Sequence, residues 1–152
     1  MQTSNNIAES ISHNFPFQSN SEESTLAWGQ ALAATLKPGD SLALQGNLGA
    51  GKTVLTRGIC LGLGFQGAVH SPSYALVHEY PHDPPIYHMD LYRLPEGADF
   101  EEIGVEHYSL SEGITLIEWP ERLESLDVGI THHIKIEHLD EEKRLIVVSQ
   151  PK

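Results

Sequence analysis

The chain is short of the residues that commit a protein to disulfides, membranes or nucleic acid. Its 152 residues include one cysteine, Cys60. A lone thiol cannot close an intrachain disulfide, which excludes the stapled frameworks of small secreted domains. Cys60 falls within a helical pattern and is expected to be a small core residue. Basic side chains are equally scarce, with 9 Lys and Arg against 21 Asp and Glu and a formal net charge of −12. A direct, broad grip on nucleic acid needs a basic face, and this composition cannot supply one. No apolar run approaches the roughly 20 residues of a membrane span, and the N-terminus lacks an apolar signal core. These absences predict a cytoplasmic protein with no membrane contact. No internal repeat is visible, and 152 residues suffice for one domain with a proper core.

The chemistry is concentrated in one stretch. Gly46-Asn47-Leu48-Gly49-Ala50-Gly51-Lys52-Thr53 matches the phosphate-binding pattern G-x-x-x-x-G-K-[ST] at every fixed position. Ser41–Gln45 before it reads as a strand, and Lys52–Leu63 after it reads as a helix. Glycines let such a loop turn its N–H groups inward around a phosphate, and the helix aims its positive end at the same anion. Lys52 would reach the outer phosphates, the Thr53 hydroxyl would sit on Mg2+, and Val54 would continue the binding turn. A second glycine pattern, Gly62-Leu63-Gly64-Phe65-Gln66-Gly67, fits a dinucleotide fingerprint by spacing alone. It follows a helix rather than a strand, so it is better read as a helix C-cap and loop.

Along the rest of the chain, residues 1–19 are rich in Ser, Asn and Gln and are expected as a flexible arm, with a short strand near Phe15–Phe17. Ser21-Glu22-Glu23-Ser24 reads as a helix start. That helix should run to about Leu36 and bury Leu26, Ala27, Ala31 and Ala34. Tyr74–Tyr80 and Ile86–Asp90 read as a hairpin around a proline-rich turn. Ala98–Ile103 and Glu106–Leu110 are short helical pieces, and Ile114–Ile117 is a buried-type strand. His132–His138 and Arg144–Ser149 form a second hairpin around Asp140-Glu141-Glu142. The whole predicts an α/β fold over residues 20–152: a three-layer, P-loop NTPase-like mixed β-sheet with antiparallel hairpin additions.

A phosphate loop needs a carboxylate at the end of a neighbouring strand to orient the metal, directly or through water. Glu118, after the apolar run Ile114–Ile117, and Asp90, after Ile86–Met89, are the two candidates. An acid after an apolar run is ordinarily a solvated strand end, a reading that weakens beside a phosphate loop. His70, His78, His82 and His88 lack a two-ligand spacing with a partner, so no metal centre is expected there. Arg93 and Arg57 are expected as ion-pairing surface residues. Trp119 is open between a partner-facing anchor and core packing.

These features resemble those of the TsaE family (also called YjeE), small bacterial ATPases of tRNA threonylcarbamoyladenosine synthesis. The resemblance rests on Gly46–Thr53, Ser71-Pro72-Ser73-Tyr74 with Leu76-Val77, Tyr87-His88-Met89-Asp90-Leu91-Tyr92-Arg93-Leu94, and Ile117-Glu118-Trp119-Pro120-Glu121, in family order and approximate spacing. It covers roughly residues 20–149. Departures are Ser73 and Ala75 where Thr is usual, and Met89 in place of Phe. The resemblance implies that Thr53 and Glu118 are the Mg2+ ligands. It makes Asp90 a second acid near the γ-phosphate, positioning water or sensing nucleotide state, and Ser71–Tyr74 a switch segment. It also places adenine between Glu22 and Arg144, with Lys143 as alternative; a guanidinium can stack flat on a base. A solvated charge on the hairpin is the plain alternative for Arg144.

The implied function is binding and hydrolysis of Mg-ATP, with ADP as product, in support of a tRNA-modifying assembly. The implied partners are TsaD and TsaB, with tRNA reached only through them. Two other functions fit a phosphate loop: a small-molecule kinase, and a nucleotide-sensing module with negligible hydrolysis. A kinase needs an arginine-bearing lid, which 9 Lys and Arg without a cluster make hard to place.

Overall fold

The computed structural model describes residues 5–47, 49–67, 69, 77–91, 112–119 and 129–150. Among them, seven strands form one mixed sheet in the order β1-β7-β6-β2-β5-β4-β3. β2 (Ser41–Gln45) lies in the middle and pairs in parallel with β5 (Ile114–Glu118) and β6 (His132–Asp140). β4 (Ile86–Asp90) runs parallel to β5 on its other side. The antiparallel additions are β3 (Val77–Tyr80) on β4, β7 (Lys143–Ser149) on β6, and β1 (Phe17–Ser19) on β7. Every residue of β5 is buried, as a parallel strand covered on both faces requires.

Three helices are described: α1 (Ile7–Ser12), α2 (Glu22–Ala33) and α3 (Lys52–Gly62). Their Ile11, Trp28, Leu32, Leu55 and Ile59 form one cluster with alternate strand residues, including Leu42, Leu44, Leu116, Ile134 and Ile146. The described helices therefore cover the face those residues share. The helical pieces expected over Ala98–Ile103 and Glu106–Leu110, and the segment Ser71–Tyr74, lie outside the described residues. Cys60 is buried in the α3 cluster, where burial pushes its thiol up to about 12.

Two expectations need correction. Residues 5–19 are not a loose arm. Asn6 caps α1, the Trp28 indole N–H donates to the Ser10 hydroxyl at 3.1 Å, and Ile11 and Phe17 are buried. The strand also begins at Phe17, two residues late, and Phe15 is exposed. Polar composition masked two apolar anchors and a capping asparagine. The second correction is the inner face of α2. Its buried residues are Thr25, Trp28, Gly29, Leu32 and Ala33, while Leu26, Ala27 and Ala31 are half-buried and Ala34 is exposed. Close contact with α3 decides this. A Cβ on Gly29 would meet the Leu55 carbonyl oxygen at 2.8 Å, and one on Gly58 would meet that of Leu26 at 2.5 Å. The two backbones approach through glycines, and Trp28 fills the space beside them.

Candidate functional site

The loop leaves β2 at Gly46, where a Cβ would sit 2.7 Å from the Ile136 carbonyl oxygen on β6. It turns through Gly49 (φ 80°) and Gly51 (φ 104°), left-handed conformations that favour glycine. Asn47 is exposed, and its carbonyl accepts from the Ala50 N–H at 3.0 Å. Leu48 lies outside the described residues. Gly51 is the N-cap of α3 and has no side chain with which to satisfy the first-turn N–H groups. The first N–H groups of a helix have no acceptor within it, and a helix start is where an anion is favoured.

The start of α3 opens onto a cavity of about 380 Å³. Gly49, Gly51, Lys52, Thr53 and Val54 form one wall, and Ser21, Glu22 and Thr25 at the start of α2 form another. Asp90, Glu118 and Trp119 close it from the strand ends, and Glu142 and Arg144 reach in from the last hairpin. Asp90 pairs with Glu118 in register, and Glu118 pairs with Leu44 just before the loop. Both acids thus stand at the C-terminal ends of parallel strands, where open α/β sheets receive ligands. Of the residues singled out in the sequence, Glu22, Gly49, Gly51, Lys52, Thr53, Val54, Asp90, Glu118 and Arg144 meet at this cavity. Gly46, Asn47 and Ala50 support the loop behind it. Ser21, Thr25 and Glu142 were not anticipated; helix start and hairpin tip become neighbours only through the sheet.

Lys52 is buried, with its Nζ 3.7 Å from the centroid of the Trp119 ring, a cation–π contact. Trp119 itself has φ 61°, an unusual backbone for a bulky residue and one that clusters at functional sites. It belongs to the cavity wall, neither buried in the core nor fully exposed.

Arg144 does more than line the wall. Its Nε–H donates to the Ala50 carbonyl at 2.8 Å, and its Nη2 to that of Gly49 at 3.4 Å. Nη1 donates to the Glu141 and Lys143 carbonyls at 2.8 and 3.1 Å. The guanidinium edge therefore ties the hairpin to the loop, and its flat face is the part left for a base.

Behind the strand ends, Glu118 Oε2 accepts from His88 Nε2. His88 Nδ1 lies 3.1 Å from the Tyr80 hydroxyl. All three side chains are buried. His88 was passed over because, alone, it offers no ligand spacing. Its place two residues before Asp90, on the same strand face, was the available signal.

Among the described residues no group of three or more His, Cys, Asp or Glu could hold a metal by itself, and no helix is long and apolar enough to cross a membrane.

Comparison with known proteins places this arrangement. A family model described as "Threonylcarbamoyl adenosine biosynthesis protein TsaE" matches residues 19–146. The chain is similar to the "tRNA threonylcarbamoyladenosine biosynthesis protein TsaE" of Treponema pallidum, 37% identical over 86% of this chain and 97% of that one. It is 42% identical to the protein of the same name from Bacillus subtilis over 67% of this chain, a match spanning 64% of that relative's length. The crystal structure of YdiB from Bacillus subtilis superposes with a TM-score of 0.70 and 30% identity, covering 90% of this chain and 86% of the other.

Proposed function

The chain belongs to the TsaE family of threonylcarbamoyladenosine biosynthesis, and from that premise we propose that it is an ATPase with a P-loop NTPase-type sheet. It binds and hydrolyses Mg-ATP, releasing ADP, at the cavity between the Gly46–Thr53 loop and the ends of β4 and β5. The observation that carries this reading is the convergence there of a glycine-turned helix N-terminus, Lys52, Thr53 and two carboxylates in register. The donor set suits the cofactor: a hydroxyl and carboxylates are the hard oxygens that Mg2+ takes. A bound Mg2+ would screen the charge that builds on the phosphates during transfer.

In this reading Thr53 and Glu118 hold the metal, Lys52 holds the outer phosphates, and Asp90 positions water or senses the γ-phosphate. Glu22 and the face of Arg144 bracket the base, while the edge of Arg144 keeps the loop in shape. Residues 20–152 act as one ATPase domain. The chain is acidic, so tRNA is met only through partners, TsaD and TsaB, in the cytoplasm. Threonylcarbamoyl transfer belongs to TsaD. Phosphate release by the purified chain, alone and with TsaD and TsaB, tests the reading. Slow turnover that rises with the partners supports it; tight tRNA binding by the isolated chain at physiological salt contradicts it. Glu118→Gln should uncouple nucleotide binding from Mg2+, whereas Asp90→Asn should harm turnover more than binding.

A further inference from the structure

A buried polar chain runs beneath the acid at the end of β5, and its two outer members, His88 and Tyr80, do not line the cavity. His88 pairs with Leu116 and Asp90 with Glu118, so His88 stands one step below Glu118 on the same face of adjacent strands. In the register it stands between Leu116 on β5 and His78 on β3, with the apolar Ile86 and Ile114 one step further in and Asp90 and Glu118 one step further out. An imidazole, a phenol and a carboxylate in such a place carry a desolvation cost that a Leu or Phe would avoid. Here each has a partner: Tyr80 hydroxyl to His88 Nδ1, and His88 Nε2 to Glu118 Oε2. Phe65 stacks on the Tyr80 ring at 5.1 Å between centroids and holds the outer end of the chain in place.

We propose that His88, held by Tyr80, is the positioning residue of Glu118, turning that carboxylate so that a single oxygen faces the metal of a bound nucleotide. The inference rests on the reading of Glu118 as a magnesium ligand. The chemistry is directional. A phenol O–H donated to Nδ1 makes Nδ1 the acceptor and leaves the proton on Nε2, which donates to Oε2. Oε2 is thereby committed to the protein interior, and Oε1 is the oxygen presented to the cavity. Outer partners of this kind orient metal-binding carboxylates, and their loss typically costs about 10–100-fold in metal affinity. His88 touches neither nucleotide nor metal; it acts through Glu118.

The test is the Mg2+ dependence of binding, read with a fluorescent non-hydrolysable ATP analogue and repeated in EDTA. His88→Leu should raise the Mg2+ concentration at half-saturation by about 10–100-fold while leaving metal-free affinity unchanged. His88→Gln, which keeps an N–H donor at a similar reach, should recover most of that loss. Tyr80→Phe should give a smaller shift, about two- to tenfold, with circular dichroism and thermal midpoint near those of the native chain. Tyr80→Phe and His88→Gln decide the matter if His88→Leu does not fold. A native Mg2+ dependence in folded His88→Leu, with Glu118→Gln impaired, overturns the relay alone. The same holds if His88→Gln is no better than Leu, or if Tyr80→Phe causes no shift. A native Mg2+ dependence in Glu118→Gln overturns the ligand assignment itself, and the relay with it.

Discussion

At the N-terminal end of β2 and β6, Thr131 accepts from the Ser41 N–H at 3.0 Å, and its own N–H donates to the Ser41 carbonyl at 2.8 Å. His132 Nδ1 lies 2.8 Å from the Thr131 hydroxyl, and Asp40 accepts from the Lys37 N–H at 2.9 Å. Lys37, Asp40, Thr131 and His132 line a hollow of about 460 Å³. At the C-terminal end of β2, β4 and β5, the glycine turn, Lys52, Asp90 and Glu118 face the cavity of about 380 Å³ beside the loop. Both ends border a hollow, but the first bonds its polar groups to its own turn and strand ends, whereas the second gathers a glycine-turned helix start, a lysine and two carboxylates. Polarity by itself therefore does not mark a site. The mark is a loop and a carboxylate held by side chains of other strands, Arg144 from the cavity wall and His88 from beneath.

This contrast breaks most visibly at Lys52. Lys52→Ala removes the buried cation of the ligand end and should lower ATP turnover by about 10–100-fold or more, with little loss of fold. Steady-state phosphate release measures it, and turnover at the native rate would dissolve the distinction between the two ends. Next is Arg144→Ala, which frees the Ala50 and Gly49 carbonyls from the hairpin. ATP and ADP affinities should fall together by about 1–2 kcal/mol, since neither loop support nor base stacking senses the γ-phosphate. Calorimetric titration of both nucleotides checks this; unchanged values would reduce Arg144 to a hairpin tie.

The opposite end should respond in the opposite manner. Thr131→Val leaves the Ser41 N–H short of its side-chain acceptor and should cost about 1–2 kcal/mol of stability in a urea titration. Nucleotide affinity should not move. The smallest effect belongs to His132, whose pKa lies below its ordinary 6.5 because burial disfavours the cation, with Asp40 opposing and Lys37 assisting. The folded state then binds this proton less readily than the unfolded chain. His132 therefore contributes stability that is complete above 6.5 and is lost as pH falls through the lowered folded value. Thermal midpoints across that range should drop on the acid side, and His132→Gln should flatten that part of the curve.

Much of this was legible in local sequence. The Gly46–Thr53 loop, the acids after Ile114–Ile117 and Ile86–Met89, and the last hairpin each advertise themselves within about ten residues, through turn chemistry and periodicity. The face of α2 was not legible. Leu26, Ala27 and Ala31 make a plausible apolar stripe, yet Gly29 and Gly58 set the helix contact, and a glycine has no hydrophobic signature of its own. The anchored N-terminal segment escaped notice for a similar reason, because the partners of Phe17 and Ser10 are Ile146 and Trp28, remote in sequence.

Sequence alone determined the central strands, the loop helix and the main chemical groups of the site, since each follows from residue type and short-range spacing. Only the tertiary structure decided which groups support which. The order β1-β7-β6-β2-β5-β4-β3 brings Arg144 to the carbonyl of Ala50, 94 positions earlier in the chain, and the β4–β5 register sets His88 beneath Glu118. The physical reason is that strand order and register are settled by burial of whole faces at once, a property of the assembled sheet that no short window of residues carries.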